Sequence, residues 1–165
     1  MLKKLKNSKG FTIIEVMIVL AIAGMIILVV LLAVPAVQRN GRNTAIKNDA
    51  SSLAGGIAEF ASNNDGALPT TGASSCAAGA VTFDKTAGTT TPSKPKVQGS
   101  TVVSCISSAA AYTVAAGTIA VDFGYKCPDP VPAGTTVTPV VSARATAIMY
   151  ATEASGGLQA RCLDS

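Results

Sequence analysis

A chain of 165 residues with 48% apolar content suits one domain with a core, although much of that content lies in a single run near the N-terminus. There is no His and only 13% of residues are charged, so the commonest general base and the commonest metal ligand are both missing, and neither a Ser–His nor a Cys–His nucleophile pair can be assembled. Lys3, Lys4, Lys6 and Lys9 stand in the first ten residues without an acid; subtracting those four from 13 basic residues leaves nine, against nine acids. The basic character belongs to a tail, which argues against nucleic-acid binding as the main task. No enzymatic activity, cofactor or metal site is expected.

From Phe11 to Val37 the one charged side chain is Glu15, and the run exceeds the roughly 20 residues that cross a hydrocarbon core as a helix. Lysines on its N-terminal side predict that this end stays cytoplasmic and that the chain after Arg39 lies outside. Three readings compete for the run. A secretory signal cut after Ala36 would need an apolar region far longer than the usual roughly 7–15 residues. A plain uncleaved anchor leaves Glu15 unexplained, since a carboxylate within a membrane segment is costly and usually marks function.

The third reading accounts for Glu15. The stretch Lys9-Gly10-Phe11-Thr12-Ile13-Ile14-Glu15 resembles the class III signal of type IV prepilins and the related pseudopilins of type II secretion: a short basic leader ending in Gly, an apolar helix, and Glu at the fifth mature position. The resemblance covers roughly the first 40 residues. It implies cleavage between Gly10 and Phe11 by a prepilin peptidase, which also methylates the new Phe11 amine. Gly10 suits such a cut because a residue without a side chain can enter a tight protease site. Glu15, about one helical turn beyond the new amine, is placed to neutralise such an amine, either its own or a neighbour's; the resemblance implies the amine of a neighbouring subunit during assembly.

The segment from Phe11 to residue 38 is apolar on all sides and must sit in lipid or among other helices. Pro35 removes one backbone donor and is expected to bend or loosen the helix; pilins usually carry a helix proline a few residues earlier. Beyond the polar junction Arg39-Asn40-Gly41-Arg42, residues Ile46, Ala50, Leu53, Ile57, Phe60 and Ala61 recur at three- and four-residue steps as one apolar stripe. Asp49, Ser51, Ser52 and Glu59 fall off it. Gly55 and Gly56 weaken this half by roughly 1 kcal/mol each relative to Ala. Asn63-Asn64-Asp65-Gly66, followed by Pro69, supplies the stop. One helix is expected from about Phe11 to Asn64, with an amphipathic half over residues 39–64.

From Gly66 the composition turns to Thr, Ala, Gly, Ser and Pro. Short β-type runs stand at Val81–Phe83, Thr101–Ile106, Tyr112–Val114, Thr118–Phe123, Thr135–Val141, Thr146–Tyr150 and Leu158–Leu163, several of them separated by glycines. Thr146–Tyr150 with Leu158–Leu163 is the clearest hairpin. The expected fold is α+β and type IV pilin-like: a long N-terminal helix, transmembrane then amphipathic, packed on an antiparallel sheet in a head over residues 65–165. Thr89–Ser100 reads as an exposed, partly extended loop, in which Lys94 and Lys96 are more readily solvated than engaged with a host surface or DNA.

Cys76, Cys105, Cys127 and Cys162 form no C-x-x-C pair, which argues against structural zinc; an even count outside the cytoplasm favours two disulfides with three possible connectivities. The pairing expected is Cys76–Cys105 with Cys127–Cys162, the second by similarity to pilin heads, whose C-terminal loop is closed by a disulfide. Asp122 and Asp129 flank Cys127 and are candidates for a calcium site of the kind some pseudopilins hold. The compact acidic loop that calcium needs is absent from the sequence, and both are expected at a solvated surface.

The resemblance implies a subunit stored as a single-pass membrane protein with a cytoplasmic N-terminus and then extracted into a helical filament at the cell surface. A homopolymer of this kind forms when identical heterologous contacts do not close into a ring. Besides membrane lipid and the peptidase, the implied partners are an assembly ATPase and a platform protein, and the implied uses are adhesion, twitching motility or DNA uptake. The alternatives are a type II secretion pseudopilin, with the same leader and helix, and a membrane-tethered adhesin that never polymerises.

Overall fold

A computed structural model describes residues 10–86 and 90–165, so the leader up to Lys9 and the first residue of the expected loop, Thr89, lie outside the described residues. The chain divides into two units, residues 1–38 and 39–165. One helix, α1 (Ile13–Asn63), has residues in both. Pro35 stands inside it, and the helix begins two residues later than the apolar run because Phe11 and Thr12 are not helical.

Among the described residues of the first unit the large apolar side chains are exposed. Ile13, Met17, Leu20, Ile27, Leu31 and Leu32 are all exposed, and none of an 18-residue window of mean hydropathy 3.3 is buried. This helix is long and apolar enough to cross a membrane.

The second unit is α+β, with the end of α1 packed on a mixed sheet. Among the described residues eight strands follow the helix: β1 (Ser75–Ala77), β2 (Ala80–Thr82), β3 (Val102–Ile106), β4 (Tyr112–Thr113), β5 (Thr118–Lys126), β6 (Thr136–Val137), β7 (Val140–Ala154) and β8 (Gly157–Asp164). Four of them form the sheet β3-β5-β7-β8, while β1–β2 and β4–β6 are two-stranded ribbons. The hairpin read from the sequence is β7–β8, in register from Ala147↔Asp164 to Ala154↔Gly157.

Alternation along β5 explains why the head has two apolar layers. Ile119, Val121 and Phe123 face the stripe of α1 (Ile46, Ala50, Leu53, Ile57, Phe60), where Phe83 meets Phe123 edge-on at 5.8 Å between ring centres. Ala120 belongs to the second layer with Val114, Val137, Met149, Ala151 and Ala160. A central strand buried on both faces needs cover on both, and residues from the β4 and β6 region supply the second.

Three expectations are corrected. The sheet is not wholly antiparallel, because β3 pairs parallel with β5, from Val102↔Thr118 to Ile106↔Asp122. The connection between them carries β4 away to pair with β6, which is the crossover that parallel neighbours require. The expected strand Thr135–Val141 is divided between β6 and the start of β7, and the three-residue β1 gave no β-type run to read.

The third correction concerns Asp49, against the loop before β3. The described part of that loop is exposed over most of its length, as expected, and is a strap tied along α1 by hydrogen bonds. Asn64 Nδ2 donates to Thr91 O at 2.9 Å, Ser93 Oγ to Glu59 at 2.9 Å, and Ser52 Oγ to Lys96 O at 2.6 Å. Asp49, placed off the apolar stripe, is buried: it accepts from Gln98 N–H at 3.2 Å and from Thr101 Oγ1 at 2.5 Å. Residues 49, 52, 56 and 59 follow three- and four-residue steps, so α1 carries a second, polar stripe that satisfies the strap's backbone.

Gly56 belongs to that stripe by virtue of its size. A Cβ there would stand 2.8 Å from Cβ and Cγ of Pro95, whereas a Cβ on Gly55 would meet nothing within 4 Å. The two adjacent glycines should therefore respond oppositely. Gly55→Ala should raise stability by about 0.5–1 kcal/mol through reduced backbone entropy, and Gly56→Ala should lower it by about 1–2 kcal/mol through overpacking on a rigid ring. Urea unfolding of the detergent-solubilised protein reads both, and a stabilised Gly56→Ala would mean that the strap yields.

Candidate functional site

The segment singled out by the sequence lies at the start of α1. Gly10, Phe11 and Thr12 precede the helix, and all three are exposed. Thr12 ends the irregular segment by capping: its Oγ1 accepts the Glu15 N–H at 3.3 Å, and its carbonyl accepts the Val16 N–H at 3.3 Å. Thr12-x-x-Glu15 has the spacing of a capping box, and it places an acidic residue in the first turn, where the helix dipole favours negative charge. This local role of Glu15 was legible in the sequence and is additional to the assembly role expected of it.

Phe11 and Val16 stand at the two positions of a hydrophobic staple across the cap, and they line one shallow groove with Glu15, Val19 and Leu20. Gly10 is exposed, and among the described residues a Cβ there would meet nothing within 4 Å.

The remaining singled-out residues lie in the head. Cys76 is joined to Cys105, and Cys127 to Cys162, with 5.7 Å between Cα atoms in each pair. The first ties the β1–β2 ribbon to β3, and the second ties the segment after β5 to β8. Asp122 and Asp129 do not share a surroundings. Asp129 is exposed, but Asp122, expected at the surface, is fully buried in β5. Alternation turns Asp122 to the same side as Ala120, under the second layer. Its Oδ1 accepts the Ser108 N–H at 3.1 Å, its Oδ2 has no hydrogen-bond partner among the described residues, and burial pushes its carboxyl above the usual range. Among the described residues no three His, Cys, Asp or Glu are grouped to hold a metal ion. Lys94 and Lys96 are exposed on the strap.

Sequence reasoning missed a clamp between α1 and the β7–β8 hairpin. Arg42 meets Glu153 with two hydrogen bonds, Nε to Oε1 at 2.6 Å and Nη2 to Oε2 at 2.7 Å. Asn43 Nδ2 donates to Glu153 O at 2.8 Å and its Oδ1 accepts Glu153 N–H at 2.7 Å. The hydrogen bond from Arg42 holds Glu153 below the usual carboxylate range. Both groups are too accessible for the pair to carry much stability, so its contribution is geometric, fixing where the hairpin meets the helix. No signal in the sequence joins residues 111 positions apart.

These observations describe an exposed glycine, a capped helix start with Glu in its first turn, and a helix whose first half is apolar and exposed. Residues 5–31 match the family model of the prokaryotic N-terminal methylation motif. That motif is the class III signal of type IV pilins and pseudopilins. The match takes in Gly10, Phe11 and Glu15 and runs into α1 as far as Leu31. Outside the motif, the α+β arrangement of a long helix and sheet fits a type IV pilin-like fold. No curated protein and no solved structure matches the chain.

Proposed function

We propose that this chain is a structural, non-enzymatic subunit that is cleaved between Gly10 and Phe11, methylated on the Phe11 amine and polymerised into a type IV pilus. The observation that carries the reading is the methylation motif over residues 5–31 leading into a helix whose first half is apolar and exposed within the chain. Lipid covers that surface before assembly, with the N-terminus cytoplasmic, and copies of the same helix cover it afterwards. The peptidase, an assembly ATPase and a platform protein are the partners of these steps. Adhesion, twitching motility or DNA uptake would be exercised by the heads, whose exposed Lys94 and Lys96 are available to a host surface or DNA. The pseudopilin reading shares the motif and stands as the alternative.

The deciding experiment is N-terminal mass spectrometry of protein recovered from sheared cell-surface material. A methylated Phe11 terminus in long fibres supports the pilus. Processed protein held in the envelope, with enzyme secretion lost on deletion, supports the pseudopilin. A start at Val37 means an ordinary signal peptide, and an intact Met1 in membranes means a simple anchor or a tethered adhesin. Within the pilus reading, Glu15→Ala should reduce the sheared subunit by at least about tenfold with leader removal intact, because leaving one charge of a buried pair alone costs roughly 3–5 kcal/mol. Fibres at wild-type yield would remove Glu15 from assembly.

A further inference from the structure

We propose that Thr12 is a positioning residue for leader removal: by capping α1 it holds the Gly10–Phe11 peptide outside the helix, where a peptidase can reach it. The inference rests on the processing reading above. Hydrolysis adds water across that amide. Oxygen bonds to the Gly10 carbonyl carbon, the carbon–nitrogen bond breaks, and the Phe11 nitrogen takes a proton and leaves as an amine. The carbonyl must therefore be free to be attacked and to take up negative charge.

Two features place the helix start where this condition is met. Thr12 Oγ1 accepts the Glu15 N–H at 3.3 Å, and a cap is the residue at which the backbone leaves helical angles. Phe11 and Val16 stand at the positions flanking the cap that have the spacing of a hydrophobic staple, and they border one groove. Phe11 is 84% exposed, so no packing among the described residues buries the scissile segment, and the Thr12 cap sets where the helix starts.

The consequence of removing the cap can be read from the residues upstream. The next side chains of capping type are Ser8 and Asn7. A helix started at Ser8 would contain Gly10 and Phe11 in its first turn, and the Gly10 carbonyl would accept the Ile14 N–H in the ordinary four-residue pattern. The bond to be cut would then be hydrogen-bonded and flanked by a turn. Cleavage would wait for local opening, at a rate set by the open fraction.

The test uses the full-length precursor in membrane vesicles, incubated with a prepilin peptidase and followed by the mass of the product. Thr12→Ala and Thr12→Val, which lack the acceptor oxygen, should be cleaved about fivefold more slowly than wild type, the factor that corresponds to losing a typical cap. Thr12→Ser and Thr12→Asn, which cap as well, should be cleaved at close to the wild-type rate. Alkaline extraction should show all five proteins equally inserted, because no apolar residue of α1 changes. Wild-type rates for Thr12→Ala and Thr12→Val would overturn the proposal. So would slow cleavage of Thr12→Ser and Thr12→Asn, which would mean that the peptidase reads the threonine side chain itself. A wild-type chain left intact beside a control precursor that is cut would instead remove the processing reading on which the proposal stands.

Discussion

Replacing Cys127 and Cys162 together by serine should lower the stability of the head by about 4 kcal/mol, the loop-entropy value for a closure of this length. The bond spans 35 residues of sequence and secures the segment that covers the second apolar layer. In that segment Gly134 O accepts the Ala160 N–H at 2.6 Å, and Val137 is fully buried beside Met149. The Cys127 N–H is held in turn by Asp164 Oδ1 at 2.6 Å. Without the cross-link the segment keeps these contacts, but the unfolded chain regains its freedom and local opening becomes easier. Chemical denaturation of the detergent-solubilised protein should show the loss. Amide exchange should quicken at Val137 and Ala160 more than at Leu53 and Ile57, which lie under the other layer. Removing Cys76–Cys105, which spans 29 residues, should lower stability by a similar amount but leave the second layer protected. Equal exchange patterns in the two variants would show that the Cys127–Cys162 bond has no local role.

The second large effect is expected at Asp122, and it has the opposite sign. A fully buried carboxylate with one oxygen unpartnered loses solvation that a single backbone N–H does not replace, and such an unsatisfied group costs about 1–3 kcal/mol. Burial raises its pKa in the folded state, with the Ser108 N–H opposing. The folded chain therefore binds a proton that the unfolded chain has released, over the interval from about pH 4 upward to the raised value. Stability contributed by the protonated carboxyl is fully present below the unfolded pKa and is lost as pH rises through the folded one. Asp122→Asn keeps the acceptor for Ser108 and removes the charge. It should raise stability at pH 7–8 by about 1 kcal/mol and flatten that part of the pH profile. A less stable Asp122→Asn at neutral pH would mean that the ionised form is held by groups beyond Ser108.

How much of this was legible beforehand differs between the two units for a physical reason. The first unit is a one-dimensional object. Its helix follows from 27 residues without a charge other than Glu15, and the motif is a fixed spacing along the chain. Period alone also located the stripe Ile46, Ala50, Leu53, Ile57 and Phe60, because the burying face of a helix is a local pattern. Most strands of the head were visible in the same way, as β-type runs broken by glycines. The α+β class followed from their order after the helix.

Pairing and polar burial were not legible. Whether β3 lies parallel or antiparallel to β5 depends on which way the connection turns, and residues 107–117 state no preference. Asp49 and Asp122 looked like solvent groups because charge usually is. Asp49 is buried because the strap brings Gln98 N–H and Thr101 Oγ1 to it from 49 and 52 positions away. Asp122 is buried because β5 is covered on both faces, so alternation along the strand offers no solvent side. Gly56 looked like a weakness of the helix until Pro95 was found against it. The sequence by itself determined most of the elements, the apolar face of the helix and the N-terminal signal, all set by forces acting over a few neighbouring residues. The tertiary structure decided the sheet order, the strap, the Arg42–Glu153 clamp and the two buried carboxylates, because each depends on groups that meet only when distant segments pack.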